Sequence, residues 1–177
     1  MLSDVMSEAL NKQINRELYS GYLCLSLSAY FDRENLPGFA HWMRQHAHEE
    51  QAHAMKIYEF LVDRHVKITF KAINEPQPDF ESPVAAARIF LSHEMKGSKD
   101  IYALHELAQA EKTYEVQPTL LWFIDAHTEE EKLGRKILDQ LEMIGDDGAA
   151  LLLLDDELGQ RAGGAPEPVA TNSTSLT

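Results

Sequence analysis

Four stretches of this sequence repeat apolar residues at steps of three and four, and in each the repeat includes a glutamate on the same face. Such steps are the period of an α-helix, whose side chains return to one side about every 3.6 residues. In residues 3–33, the residues Leu10, Ile14, Glu17, Gly21, Cys24, Ser28 and Phe31 share a face. Ser3 or Asp4 can cap the start of this helix. Residues 37–65 open at Pro37, a residue favoured in a first helical turn, and align Phe39, Met43, His46, Glu50, His53, Ile57 and Phe60. Residues 82–112 open at Ser82-Pro83 and align Ala87, Phe90, Glu94, Ile101, His105 and Ala108. Residues 117–145 align Leu120, Phe123, His127, Glu130, Gly134, Leu138 and Leu141. Strand periodicity is nearly absent.

Each stretch is long enough for roughly 42–45 Å of helix at about 1.5 Å per residue. Four long helices of matched length with apolar faces pack as a bundle. The first and third connections are short, so each joins an antiparallel hairpin. The middle connection, residues 66–81, carries Pro76 and Pro78 and little helical pattern. It is long enough to run the length of the bundle and leave the second and third helices parallel. An all-α bundle running up, down, down and up follows, with a long crossover between the second and third helices. A short fifth helix is expected over residues 147–158, capped by Asp146 or Asp147 and ended by Gly159. The segment 161–177, rich in Gly, Pro, Ser and Thr, reads as a flexible extension of a single domain spanning 1–160.

The net charge of −13 argues against a nucleic-acid partner, because phosphate contacts need clustered Lys and Arg. A single cysteine, Cys24, allows neither an intrachain disulfide nor a thiolate metal cluster. The first residues carry an acid and no long apolar core, and the apolar run 149–154 is far too short to span a bilayer. A cytoplasmic protein without a membrane partner is the expectation.

The acids carry the functional argument. Glu17, Glu50, Glu94 and Glu130 each fall among the apolar residues of their own helix, and histidines join them as Glu50-x-x-His53 and His127-x-x-Glu130. Residues three apart share a helix face, so each pair can reach one metal region. The spacing also repeats: 33 residues separate Glu17 from Glu50, and again Glu94 from His127. Two similar helical hairpins therefore deliver acids to a shared centre. Taken singly, any of these glutamates would be read as a solvated charge. Four ionised carboxylates in one bundle interior would repel and lose hydration worth several kcal/mol each. They must be protonated or balanced by cations, and two divalent ions balance four carboxylates. Carboxylates with one or two imidazoles suit iron or manganese better than a soft metal.

A glutamate from two helices and a Glu/His pair from two others is also the pattern of ferritin-like di-iron proteins. The chain resembles the bacterial non-haem ferritins over residues 1–160, through Asn15-x-Glu17-Leu18-Tyr19-Ser20, Arg44-x-His46-Ala47-x-Glu49-Glu50-x-x-His53, His93-Glu94, and Trp122 followed by Glu129-Glu130-Glu131-Lys132-Leu133. The resemblance implies that Glu17, Glu50 and His53 hold one iron, that Glu94 and Glu130 hold a second, and that Glu50 bridges. It implies that Glu49 and Glu129 belong to a partial third iron site. It further implies a ferroxidase: two Fe(II) per subunit are oxidised with oxygen or peroxide, and the ferric product is stored as an oxo-hydroxide mineral in a self-assembled shell of 24 subunits.

Three positions, Cys24, Ala126 and His127, depart from that pattern. Cys24 stands where the family usually has a tyrosine and reads as a small buried filler. Ala126 stands where an acid can complete the third site. His127 replaces the usual glutamine, either as a direct ligand or as a hydrogen-bonding partner of one. Gln51 occupies the place of the haem-ligating methionine of bacterioferritins, so no haem is expected. His46 is expected as an outer partner of the metals or as a core histidine. A rubrerythrin-like peroxidase would need a four-cysteine iron domain, and a metal-free helical interaction protein would leave the four inward acids unaccounted for.

Overall fold

The computed structural model describes residues 2–161, and the expected flexible extension beyond them lies outside the described residues. Among the described residues five helices are present: α1 (Asp4–Arg33), α2 (Pro37–Val62), α3 (Pro83–Ala110), α4 (Gln117–Ile144) and α5 (Gly148–Gly159). The capping residues do what their chemistry suggests. The Ser3 hydroxyl accepts from the Met6 N–H, that of Ser82 from Ala85, and the Asp147 carboxylate from both Ala149 and Ala150. α2 and α4 start without a side-chain cap but with proline in the first turn. α2 ends three residues and α3 two residues short of the spans expected from periodicity. The chain turns there through His65 and Lys112, whose φ angles of 54° and 55° cannot continue a right-handed helix.

α1 guides the crossover. Asn11 donates to the Lys67 carbonyl and accepts from the Thr69 N–H, and Asn15 does the same with Ala72 and Lys71. Further along, Ser26 donates to the Gln77 carbonyl and Arg33 pairs with Asp79 at 2.6 Å. Crossover numbers rise with α1 numbers, so this segment climbs α1 from its N-terminal to its C-terminal end. That path makes α2 and α3 parallel and yields the up-down-down-up order.

The interior is split. One apolar cluster joins Leu27, Phe31, Phe39, Met43, Phe90, Ile137 and Leu141 with α5 through Leu154 and Leu158. The other joins Met6, Leu10, Ile14, Ile57, Leu61, Ile101, Leu120 and Phe123 at the opposite end. Every helix of the bundle contributes to both clusters, and on every helix the acid named above falls between its two contributions. Helices of matched length bring their midpoints to one height, so the acids meet in a single polar layer.

Candidate metal centre

Glu17, Glu50, His53, Glu94 and His127 are each at most 2% exposed, and Glu130 is 9% exposed. Their ligand atoms form overlapping groups in which all atoms lie within 4.8 Å: Glu17 with Glu50 and His53, His46 with Glu50 and Glu130, and Glu94 with His127 and Glu130. His53 lies 3.7 Å by Nδ1 from Glu50 and 3.6 Å by Nε2 from Glu130. His127 Nδ1 lies 3.8 Å from Glu94 and 3.5 Å from Glu130. These separations exceed ordinary hydrogen bonds, so ring nitrogens and carboxylate oxygens face one another without pairing closely. Both oxygens of Glu50, one each of Glu94 and Glu130, Nδ1 of His53 and both nitrogens of His127 have no hydrogen-bond partner among the described residues. Buried polar atoms are nearly always paired, so such a concentration is able to hold cations.

Electrostatics agree with the geometry. Burial first, then the neighbouring carboxylates, push Glu50 and Glu94 well above the ordinary carboxylate range. Burial raises Glu130 to about 7, against the pull of His53. Burial lowers His127, which keeps its imidazole neutral and able to donate a lone pair. Without cations the centre therefore favours protonated carboxyls.

Several residues around the cluster were not apparent from periodicity. Gln13, 4% exposed, donates from Nε2 to Glu17 Oε1 at 2.6 Å, one helical turn away. Its i,i+4 spacing was readable, but a glutamine on a helix carries no signal alone. Ser20 and His93 share a hydrogen bond of 2.7 Å, and Tyr19 packs on the His93 ring. Ser98 binds Glu131 behind Glu94. His46 is gripped edge-on by Trp42 and Phe90, with Nδ1 3.3 Å from Glu49. Glu49 is half-buried beside it, whereas Glu129 is exposed and pairs with Lys132 at 3.2 Å, so neither joins the groups above. Ala126 is buried and offers no ligand. Cys24 is 1% exposed within the apolar cluster next to the acids, and burial together with Glu50 holds its thiol protonated.

Comparison with known proteins agrees with this geometry. The family model described as a ferritin-like domain matches residues 7–144. The "bacterial non-heme ferritin" of Staphylococcus aureus is 38% identical over 161 residues, covering 91% of this chain and 97% of the relative. The protein of the same description from Staphylococcus haemolyticus is 36% identical over 162 residues, covering 92% and 98%. Among solved structures, an open-pore ferritin from the hyperthermophilic archaeon Archaeoglobus fulgidus superposes with a TM-score of 0.90 at 41% identity, covering 92% of this chain and all of that one. A closed form of the same ferritin, engineered by site-directed mutagenesis, superposes equally well. With a ferritin-like family model over residues 7–144, curated relatives at 36–38% identity and five helices that superpose on solved ferritins, this chain belongs to the ferritin family.

Proposed function

We infer that the protein is an iron-storage ferritin subunit that oxidises Fe(II) at the mid-bundle centre. The observation that carries this reading is the set of six buried ligand-type side chains between two apolar clusters, five of them with unpartnered oxygens or nitrogens. Glu17, Glu50 and His53 receive one Fe(II), and Glu94 and Glu130 with His127 receive the other. Glu50, at the centre of the layer, bridges. Two divalent ions replace the protons of the metal-free site and balance the four carboxylates. Each Fe(II) yields one electron, and the pair yields the two electrons that take oxygen to peroxide or peroxide to water. Hard oxygen ligands favour the ferric product. Gln13 holds the Glu17 carboxylate from one helical turn away.

The product is stored as a ferric oxo-hydroxide inside a shell of 24 subunits. Exposed apolar surface supports assembly: Leu152 and Leu153 of α5 are 57% and 72% exposed, and Met143 before them 87%. Glu49, flanking the centre, takes iron leaving it. Stopped-flow mixing of protein preloaded with two Fe(II) per subunit against oxygen tests the oxidation. Oxidation no faster than in protein-free buffer sinks the reading, and light scattering that finds only monomers or dimers sinks the shell.

A further inference from the structure

Gly97 faces His127 across the α3–α4 contact. A Cβ built on Gly97 would stand 2.9 Å from Cε1 and 3.2 Å from Nδ1 of the imidazole. The glycine lies in the interior of α3, twelve or more residues from either end, where alanine is the better helix former. Helix propensity therefore works against this residue, and the imbalance is explained by what it admits. His127 is 2% exposed, neither of its nitrogens has a hydrogen-bond partner, and Nδ1 faces both Glu94 and Glu130. Phe123 and His53 also neighbour the ring, at centroid distances of 6.4 and 6.1 Å. The imidazole thus fills a slot whose α3 wall is a missing side chain.

We propose that Gly97 is a positioning residue for the second metal, admitting His127 as a direct ligand and so giving both metal positions one imidazole. This rests on the reading of the mid-bundle layer as a two-metal centre. Without a side chain at 97, the two positions become alike: Glu17, Glu50 and His53 on one side, Glu94, His127 and Glu130 on the other. A nitrogen ligand at the second position raises its affinity for the later divalent ions, Co(II) among them, more than for Fe(II). A methyl group at 97 displaces the ring by several tenths of an ångström, beyond the roughly 0.2 Å that metal–ligand bonds tolerate.

Co(II) titration of the assembled protein, followed by its visible absorption, tests this without any turnover. The native protein is expected to bind two Co(II) per subunit, both displaced by Fe(II) under anaerobic conditions. Gly97→Ala should bind the second equivalent about tenfold more weakly or worse, with an altered spectrum. His127→Ala should show the same loss, and adding Gly97→Ala to it should change nothing further. If Gly97→Ala fails to fold, the double variant must recover folding, since it lacks the ring that clashes; continued misfolding overturns the proposal. Unchanged second-site affinity in Gly97→Ala, or a further loss in the double variant, also overturns it while leaving the two-metal reading intact. A native protein that binds no stoichiometric Co(II) overturns both.

Discussion

Asp155 of α5 accepts a hydrogen bond of 2.8 Å from the backbone N–H of Phe39, in the first turn of α2. Its carboxylate is 4% exposed and sits where the unpaired N–H groups and the positive end of the α2 dipole converge. α2 lacks a side-chain cap of its own, so the fifth helix supplies one. Gly38 completes the seat, because any Cβ there would overlap the Asp155 carbonyl.

Asp155→Ala should therefore lower stability by about 1–3 kcal/mol, the value of a hydrogen bond to a charged group. It should also expose α5 to proteolysis. Gly38→Ala should do the same through overlap, at a cost of about 1–3 kcal/mol. Asp156→Ala, on the exposed face next door, should stay within about 0.5 kcal/mol. Thermal melts and limited proteolysis read both effects, and an Asp155→Ala protein as stable and resistant as Asp156→Ala would refute the capping role.

Glu50→Ala should abolish rapid Fe(II) oxidation while the protein still assembles. Glu50 is fully buried and belongs to two of the ligand groups, one with Glu17 and His53 and one with His46 and Glu130, which is why the proposed function makes it the bridge. Removing one buried acid relieves repulsion, so the metal-free variant should melt at the native temperature or above it. A native oxidation rate in stopped-flow absorbance would show that Glu50 does not bridge.

Cys24→Ser should keep the fast oxidation phase. The thiol lies near the acids but in none of the ligand groups, and burial keeps it protonated. In the native fold it should resist thiol reagents, reacting only on unfolding. Loss of the fast phase in the serine variant would assign the sulfur an electron-donating or ligating role.

The stabilisation conferred by Co(II) should grow between about pH 5 and pH 7.5, because ligands must shed protons to bind metal. The sign follows from the raised acids. In the metal-free fold Glu50 and Glu94 keep protons well above their ordinary value of 4.5, and Glu130 to about 7. The unfolded chain releases those protons first, so metal-free stability falls as pH rises through this window. His46 and His93, lowered by burial to about 3 and about 4, act in the opposite sense and lose stability below about pH 6.5. His93, which is in none of the ligand groups, acts on loaded and empty protein alike and cancels in the difference. His46 shares a group with Glu50 and Glu130 and must stay neutral there for metal to bind, which adds to the same trend. Melting temperatures with and without Co(II) across this range check the claim, and a gap that narrows as pH rises contradicts it.

Helix identity, hairpin pairing and the inward acids were all legible in the sequence, because a 3.6-residue period places Glu17, Glu50, Glu94 and Glu130 among apolar neighbours whatever the tertiary details. Capping residues such as Ser3, Ser82 and Asp147 announced helix starts, since they act on backbone groups only two or three residues away. Helix ends at His65 and Lys112 were less readable, because a left-handed turn residue need not be glycine. Tertiary structure alone decided the rest. The run of Asn11 and Asn15 along the crossover, the Asp155 cap on α2 and the fit of His127 against Gly97 join residues far apart in sequence. Glu129 shows the same limit from the other side: it adjoins Glu130 in sequence, yet the rotation of α4 turns one acid to solvent and the other into the centre. Periodicity assigns a residue to a helix face, but only the packing of that face against another helix decides what it meets.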